Sequence, residues 1–518
     1  MALDRVKVFG IAGLFLFIFS IIHHTKIILK SGWPMRKAWS KLPSSFECRA
    51  YIFNVTNPKE IANGEKPIVR EVGPFVYDVW QEKTQQMDHE EDDTLSYATK
   101  KTFYFNSEKS KGLSDDDELT IPHLLSLGTS NGVMKDKAVF LSVASKAIDS
   151  VLRNPESVFV KEKVKTLLFD GFEIDCREPE DFFGNAFCSD VKESWQEYRL
   201  MKKDENFYTT SVWGTLNATD TELGKSRIHR GMTNMSKIGE LVEFNGKKNL
   251  STWKNEYCDA FSGTDGTMFR PFLSEKESVE LYVTSAYMCR RLLYHYESKI
   301  KFSGMKLLRF TTTMGTDMET NQRDQCFCIA PDRCLKNGVF ELFRCLNTPL
   351  ILSNPHFYLA DPYYANSVRG VKPIKEKHET FIDVDPLTGA VINARLRMQY
   401  SLFLMKLEKY RLVQNFPEAL LPIMWSEEVL ELPDIVMKKI KSIHRTITMM
   451  KIFEYFMMFG GLAMCGYSGY LEYTKQKANV AVENITSVDS HNNYNGNEKG
   501  SALRGSGIGS DTVPPNID

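Results

Sequence analysis

The sequence has almost no net charge. Its 65 lysine and arginine residues nearly balance its 66 aspartate and glutamate residues, and charges of both signs are spread along the 518 positions. Proteins that bind nucleic acid carry a concentrated basic surface, because contacts to phosphate dominate that kind of binding. The charge pattern therefore gives no support to a nucleic-acid partner.

Recognisable metal-binding patterns are also missing. The acidic runs 90–93 and 115–118 lack the spacing and the glycine of an EF-hand loop, which favours solvated loops over calcium sites. No paired C-x2-C knuckle is present, although four cysteines between positions 326 and 345 have the number and softness of a zinc set. We predict no calcium site, no zinc site and no cofactor.

Long apolar runs are confined to the two ends of the chain. The first covers residues 8–29 with a polar interruption at 23–26, and the second covers residues 452–472. A bilayer core about 30 Å thick needs about 20 mostly apolar helical residues, so each run is long enough to span it. The competing interpretations are a cleaved signal peptide for the first run and a buried core helix for the second. We predict two transmembrane helices.

Basic residues beside these runs predict the orientation. Arg5 and Lys7 precede the first run, and Lys475 and Lys477 follow the second. Lysine and arginine next to a span are retained in the cytosol, which places both termini there, although a basic cluster at 26–37 argues weakly against this. The expected layout is a cytosolic segment 1–7, an extracellular domain 30–451 and a cytosolic tail 473–518.

Sequons and cysteines support an extracellular domain. Six of the ten cysteines fall between positions 258 and 345, which is typical of a disulfide framework in an oxidising compartment. One N-x-S/T sequon, at Asn484, lies in the tail. The four sequons between the apolar runs are predicted glycosylation sites: Asn54, Asn217, Asn234 and Asn249.

Period-two alternation predicts a mainly antiparallel β body. It is clearest at residues 395–404, where apolar residues alternate with arginine, glutamine and serine, so we expect one buried face on a strand about 33 Å long. Further strands are predicted at 51–55, 67–80, 102–106, 207–213, 307–313 and 380–384.

Helical spacing is concentrated in the middle of the chain. It predicts one helix over 135–153 and a second over 158–169, within a helical cap near 131–200. Beyond Lys477 the chain is rich in asparagine, serine and glycine, and we expect the tail to be disordered.

One pattern of an enzyme occurs. Gly128-Thr-Ser-Asn-Gly132 fits the nucleophile elbow of a hydrolase, which needs a central strand before the serine and α/β alternation around it. Pro122 makes the preceding segment a poor central strand. We expect no catalytic site, and esterase activity would require Ser130.

Several short motifs resemble the class B scavenger receptor (fatty-acid translocase) family. Two of them resemble its insect branch, the sensory neuron membrane proteins, and type 1 more than type 2. The resemblance covers residues 5 to about 475, with the motifs in the same order. The family motifs are Phe53-Asn-Val-Thr-Asn-Pro58, Glu71-Val-Gly-Pro-Phe-Val-Tyr77, Gly263-Thr-Asp-Gly-Thr-Met-Phe269, Cys326-Phe-Cys328 and Pro355-His-Phe-Tyr358 with Ala360-Asp-Pro362; the branch motifs are Asp88-His-Glu-Glu-Asp-Asp-Thr94 and Phe103-Tyr-Phe-Asn106.

The resemblance implies an α+β membrane protein. Two transmembrane helices would flank an antiparallel β-barrel ectodomain with an apical helical bundle and a hydrophobic tunnel. Three disulfides transfer by position: Cys258 to Cys326, Cys289 to Cys345 and Cys328 to Cys334. Cys176 and Cys188 enclose a short loop, where we predict a fourth. The location implied is the plasma membrane of a sensory neuron or a supporting cell.

The function implied is that of a lipid-transferring co-receptor. It would pass hydrophobic odorants, such as fatty-acid-derived pheromones, from carrier proteins to an odorant receptor channel. A 14-carbon chain that crosses water unaided faces a barrier of about 10 kcal/mol, which an apolar tunnel removes without covalent chemistry. The alternative is a scavenger or adhesion receptor that takes up lipid.

Two further groups of residues are assigned roles. Phe159, Lys161, Lys163 and Lys165 would attract a polar head group or an acidic carrier at the ligand entrance, unless they form a solvated helix face. Gly461, Cys465 and Gly469 form a small-residue face in the second apolar run. Its partner would be the first apolar run, a second copy or a receptor channel.

Overall fold

A computed structural model describes residues 5–22, 28–136, 141–179, 181–219, 224–274, 280–285, 288–315, 324–328 and 334–494. The chain divides into two compact units. The smaller comprises Met1–Thr25 and Arg445–Asp518, and the larger is Lys26–His444.

Within the described residues the strands are β1 (Phe46–Val55), β2 (Val69–His89), β3 (Thr94–Phe105), β4 (Glu118–Pro122), β5 (Phe159–Lys163), β6 (Phe172–Asp175), β7 (Met201–Asp204), β8 (Phe207–Thr210), β9 (Lys225–His229), β10 (Leu241–Phe244), β11 (Glu280–Ser285), β12 (Arg290–Phe302), β13 (Met305–Thr312), β14 (Val339–Glu341), β15 (Ile351–Ser353), β16 (Thr380–Val384), β17 (Val391–Leu404) and β18 (Ala419–Glu431).

The helices in the same residues are α1 (Arg5–Ile22), α2 (Pro34–Ser40), α3 (Pro58–Ala62), α4 (Leu124–Asp136), α5 (Leu141–Val151), α6 (Phe182–Ser194), α7 (Glu256–Asp259), α8 (Phe343–Leu346), α9 (Pro362–Asn366), α10 (Lys375–His378) and α11 (Asp434–Tyr494). A short π-helix, Thr166–Asp170, follows β5.

The larger unit is built around one antiparallel sheet of 13 strands in the order β10-β9-β3-β2-β1-β18-β17-β16-β13-β12-β11, with β14 and β15 joined to β17. The segment Gly263-Thr264 lies between the two edge strands. Gly263 accepts a hydrogen bond from the Leu241 amide of β10, while Thr264 exchanges bonds with Tyr282 and Thr284 of β11. These bonds bring the sheet close to a closed barrel.

The register of the sheet separates an outer face from an inner face. Trp80 and Tyr104 are exposed by 44% and 58%, so the face that they share is the outer one. Side chains on the other face are buried or half-buried in the main core. We call this the inner face; its members on five adjoining strands are Cys48, Ala50, Ile52, Phe75, Tyr77, Val79, Phe103, Phe105, Leu396, Met398, Tyr400, Met424 and Ser426.

The prediction of a single buried face for the strand 395–404 is wrong. Arg397, Gln399 and Ser401 on the outer face are buried. Of the alternating apolar residues, Leu396, Met398 and Tyr400 are half-buried, and Leu402 and Leu404 are buried. Arg397 forms an ion pair with Glu427, and Gln399 donates to Ser353, so other segments cover these polar groups. A buried polar group is tolerated because each one has hydrogen-bond partners.

The other predicted strands coincide with observed ones. They lie within or overlap β1, β2, β3, β8, β13 and β16, with different bounds except for 380–384. The observed strand β8 ends at Thr210, three residues before the end of the predicted strand 207–213. Strands β2 and β3 of the large sheet are longer than the predicted segments.

One of the two predicted helices is wrong. The first overlaps α5, and helix α4 precedes it where none was predicted. The second, 158–169, is instead strand β5 followed by the π-helix. Lysines at positions 161, 163 and 165 recur every second residue, which is the period of a strand.

The smaller unit contains α1 and the larger part of α11. Among the described residues, one helix is long and apolar enough to cross a membrane, Asp434–Asn484, and a shorter apolar helix covers Lys7–Leu16. The prediction of a disordered tail from residue 473 is wrong as far as Tyr494, because α11 continues to that residue.

Substituting Gly263 tests the closure of the sheet. Its φ is +72°, and an added Cβ would lie 1.9 Å from the carbonyl oxygen of Tyr282. Gly304 is the matched control, since its φ is +81° but no atom lies within 4 Å of its Cβ position. We expect Gly304→Ala to cost about 1–2 kcal/mol from the backbone alone. Gly263→Ala should cost about 1–3 kcal/mol more from the clash. Equal melting temperatures of the two purified variants would contradict this role.

Candidate functional site

Lys161 and Lys163 lie in a two-stranded sheet rather than on a helix, and Lys165 directly precedes the π-helix. Strands β4 and β5 pair antiparallel, with Lys161 opposite Thr120. Lys161 forms an ion pair with Glu118 at 2.9 Å, and Asp116 binds both Lys163 and Lys165 at 3.0 and 2.9 Å. The acidic run 115–118 and the lysines are therefore partners. We call these seven residues the charged strip.

The charged strip does not present a net positive surface. Its three lysines face four carboxylates, because Asp115 and Asp117 lie in the same run. Exposed ion pairs of this kind contribute little to stability, but they cancel the local field that would attract an anion. Phe159 is not an exposed contact either, since it is 93% buried and stacks on Phe416 at 6.0 Å. This arrangement does not favour a carboxylate head group.

The other acidic run is a solvent-exposed turn, as predicted, and it is also bound to arginine side chains: Glu90, Glu91 and Asp92 are exposed, whereas Asp93 is buried. Arg230, which is 97% buried, binds Asp93 at 3.2 Å and Glu90 at 2.8 Å. Arg227 binds Asp92. The run holds the β2–β3 turn against β9 through these arginines.

An aromatic cluster lies beneath the π-helix, on the inner face. Tyr77 of β2 contacts Phe105 at 5.3 Å, Phe169 at 5.0 Å and Trp213 at 6.4 Å between ring centroids. Phe103 stacks on Trp213 at 5.7 Å. We call these five residues the Tyr77 cluster. Two segments cover the cluster, the π-helix and residues 212–213. The amides of residues 212 and 213 donate hydrogen bonds to carbonyls of the π-helix at 3.0 and 2.8 Å.

The Tyr77 hydroxyl is a buried polar atom of this cluster. The side chain is 98% buried, and within the described part of the chain its hydroxyl oxygen has no hydrogen-bond partner. Burial raises the pKa of Tyr77 above its usual value, and the charges of Asp115 and Asp170 raise it further. The hydroxyl is therefore protonated at neutral pH and has a proton to donate.

A second polar group joins two of the sequence motifs and Trp425 of β18. Glu71 accepts hydrogen bonds from His356 Nε2 at 2.6 Å and from Trp425 Nε1 at 2.7 Å. His356 Nδ1 accepts from the Lys372 amide at 2.9 Å, so its proton is on Nε2. The motif sequences gave no signal of this contact, since residues 71 and 356 are 285 positions apart.

Protonation of His378 is unfavourable at this junction. His378 stacks on His356 with ring centroids 4.3 Å apart. Burial lowers the pKa of His378 to about 3, and the neighbouring His356 lowers it further. Burial alone would raise the pKa of Glu71, but the hydrogen bonds from His356 and Trp425 outweigh it and hold that pKa below its usual value. The junction thus combines a carboxylate with neutral His378, and it is a structural centre of the barrel wall.

Four disulfides are present in the larger unit. They join Cys258 to Cys326, Cys289 to Cys345, Cys328 to Cys334 and Cys176 to Cys188. These are the pairs expected from the sequence, and they occupy the thiols that a zinc ion would need. Among the described residues no group of three histidine, cysteine or acidic side chains is arranged to hold a metal. Cys48 and Cys465 are free thiols.

The four sequons between the apolar runs have different surroundings. Asn234 and Asn249 are exposed, and the serine of each sequon donates to the asparagine Oδ1, at 2.7 and 2.6 Å. Asn54 and Asn217 are half-buried, and their Oδ1 atoms accept from the amides of Thr120 and Phe103 at 2.8 and 3.1 Å. Asn234 Oδ1 also accepts from the nearby Ser236 amide at 3.0 Å, whereas the half-buried pair bonds to segments distant in the chain.

The small-residue face of α11 meets α1 within the smaller unit. A Cβ on Gly13 would lie 2.7 Å from the Gly461 carbonyl oxygen and 2.9 Å from Cys465 Sγ. Gly469 has no atom within 4 Å of its Cβ position, so it is outside this contact. Of the three partners considered, the structure places the first apolar helix against Gly461 and Cys465. Such close approach of backbones is typical of glycine at helix crossings.

The nucleophile-elbow pattern lies inside a helix. Residues 128–132 are all part of α4, so the sharp turn from strand to helix that exposes a catalytic serine does not occur at Ser130. Strand β4, which ends at Pro122, belongs to a separate two-stranded sheet.

We predict that His378 makes the protein sensitive to acid. Its folded pKa of about 3 lies below its ordinary value of 6.5, so the folded state loses stability as the pH falls from 6.5 towards 3. Between pH 6.5 and 5 the loss is up to about 2 kcal/mol. His378→Asn keeps an acceptor for the Ile374 amide and should flatten the dependence of melting temperature on pH. His295→Asn, at an exposed site, is the control. An unchanged pH profile in His378→Asn would contradict the prediction.

Glycan occupancy should follow side-chain exposure. Asn234→Gln and Asn249→Gln should each remove one glycan, seen as faster gel migration, without loss of folded protein. Asn54→Gln should lower the melting temperature, because it moves the oxygen that holds the Thr120 amide. Unglycosylated wild-type Asn234 and Asn249, or full stability of Asn54→Gln, would be inconsistent with these surroundings.

Comparisons with known proteins agree with the motifs. The profile of the CD36 family matches residues 6–471. Sensory neuron membrane protein 1 of Apis mellifera is 36% identical over 496 residues, which cover 95% of this chain and 93% of that protein. The proteins of the same name from Manduca sexta and Ostrinia nubilalis are 32% and 33% identical, covering 95% and 80% of this chain and 92% and 78% of their own length. The chain belongs to the CD36 family.

Proposed function

We propose that this chain is a lipid-binding co-receptor that passes hydrophobic odorants or pheromones through its ectodomain to an odorant receptor in the membrane. The observation that carries the proposal is that apolar side chains on the inner face of a nearly closed sheet keep accessible surface. Leu396, Met398 and Tyr400 point inward yet keep accessible surface, as do Phe103 and Phe105.

Half-buried apolar side chains inside a barrel are suited to bind the alkyl chain of a guest. Protein interiors normally exclude such accessible apolar surface, because packing matches that of organic crystals. Each methylene of a guest that leaves water for this surface gains about 0.8 kcal/mol. A continuous run of such side chains would therefore form the tunnel that the family resemblance implies.

The membrane arrangement is part of the same proposal. The two apolar helices would span the plasma membrane, with both termini in the cytosol and the larger unit outside. The consecutive helices α4, α5 and α6 would form the apical bundle. The relatives are named as membrane proteins of sensory neurons, and we extend that location to this chain. An odorant receptor channel and odorant carrier proteins are the proposed partners.

A plug in the inner face tests binding. Met398→Trp adds bulk where the structure leaves accessible surface, and Thr102→Trp adds the same bulk to the outer face beside Trp80. A fluorescent long-chain ester is titrated into the full-length chain in nanodiscs. Met398→Trp should weaken binding about tenfold or more, since excluding two or three methylenes forfeits about 0.8 kcal/mol each. Equal affinity in both variants, or no binding by the wild type, would contradict the proposal.

A second measurement separates transfer from uptake. Proteoliposomes that contain the chain are mixed with ester bound to a carrier, and arrival of the ester in the bilayer is timed. Faster arrival than in empty liposomes, abolished by Met398→Trp, supports transfer. Binding without faster arrival favours the alternative, a scavenger or adhesion receptor, whose uptake depends on cellular machinery.

A further inference from the structure

We infer that the Tyr77 hydroxyl donates the hydrogen bond that recognises the head group of the guest, and that this head group is neutral and oxygenated: an ester, an aldehyde or an alcohol. The inference rests on the proposed function and names the ligand class that the same cavity selects.

The first observation is the state of the hydroxyl. It is buried with its ring among aromatic side chains, and the described residues offer its oxygen no partner. A buried donor left unpaired costs more than its bond would contribute, so such atoms in native proteins call for an explanation. A guest oxygen that arrives beside Tyr77 would satisfy it.

The second observation is the position of the hydroxyl. Tyr77 lies opposite Phe105 in β3 and Cys48 in β1, so its side chain is on the inner face. Phe105 and Phe169, which contact its ring, are half-buried and retain accessible apolar surface. The cluster therefore offers a buried, unpartnered donor beside apolar surface, which matches a long alkyl chain with a single polar end.

The third observation is the charge around the site. Asp115 and Asp170 act on Tyr77 with negative charge. Lys101, a cation on the same inner face, is paired with Glu428 at 2.7 Å. The charged strip, which leads along the chain into the π-helix, has more carboxylates than lysines. The carboxylates near Tyr77 and in the charged strip would repel a carboxylate head, and the paired Lys101 does not offset them, whereas a carbonyl or a hydroxyl would not be repelled.

The test uses Tyr77→Phe, which removes the hydroxyl and keeps the ring. Tyr104→Phe, on the outer face, is the matched control because its side chain is 58% exposed. The full-length chain in nanodiscs is titrated with four probes of equal chain length: an alkane, an alcohol, an acetate ester and a fatty acid.

Wild type and Tyr104→Phe should bind the alcohol and the ester about 3- to 10-fold more tightly than the alkane, and the fatty acid no better than the alkane. Tyr77→Phe should lose that preference while its affinity for the alkane is unchanged. The melting temperature of ligand-free Tyr77→Phe should be equal to or above that of the wild type, because no internal hydrogen bond is lost.

Each contrary result has a distinct meaning. Binding of all probes with the same head-group preference in Tyr77→Phe would overturn the inference and leave the proposed function standing. Tightest binding of the fatty acid would overturn the neutral-head assignment. A lower melting temperature of Tyr77→Phe would show that the hydroxyl has an internal partner, which also overturns it. Failure of every probe, the alkane included, would count against the proposed function itself.

Discussion

Because the segment Gly263-Thr264 bonds to both edge strands of the large sheet, one face of every strand in the wall is turned inward. Side chains on that face can find partners only among the strands opposite or in a guest. The outer face has no such restriction, since loops and short helices cover it. Closure therefore separates an exterior that holds buried, mutually paired polar groups from an apolar inner face, part of which keeps accessible surface.

The two faces of β17 show this division within a single strand. On the outside, Arg397 binds Glu427, which also binds Arg49, and Gln399 is held between Ser353 and the His356 amide. These pairs are buried and mutually satisfied, so the wall is fixed in position. On the inside, Leu396, Met398 and Tyr400 are half-buried, whereas Ala394 and Leu402 of the same strand are buried in the main core. The proposed guest would contact the part of this strand that keeps accessible apolar surface.

Local spacing in the sequence explains which features were predictable. Strands such as β16 and β17 were found because alternation is a property of neighbouring residues. The face that is buried was not predictable, because burial of Arg397 depends on Glu427 thirty positions away. The lysines of β5 illustrate the same limit, since their partner Asp116 lies 47 residues earlier than Lys163. Three of the disulfide pairs came from the family resemblance, since spacing alone permits many pairings, and the fourth, Cys176 to Cys188, came from the short loop between these cysteines.

A single neutral hydrogen bond is also the kind of recognition that suits transfer. Burial of an alkyl chain supplies most of the binding free energy, about 0.8 kcal/mol for each methylene, and it varies little as the chain slides along an apolar wall. One hydrogen bond adds roughly 0.5–1.5 kcal/mol, enough to prefer one head group over another but too little to hold the guest for long. A buried ion pair would be far harder to break, because separating it leaves an uncompensated charge in a medium of low dielectric constant. An anion site inside the barrel would therefore act as a trap. The uncharged donor at Tyr77, among carboxylates that repel anions, leaves the guest selected and still free to move.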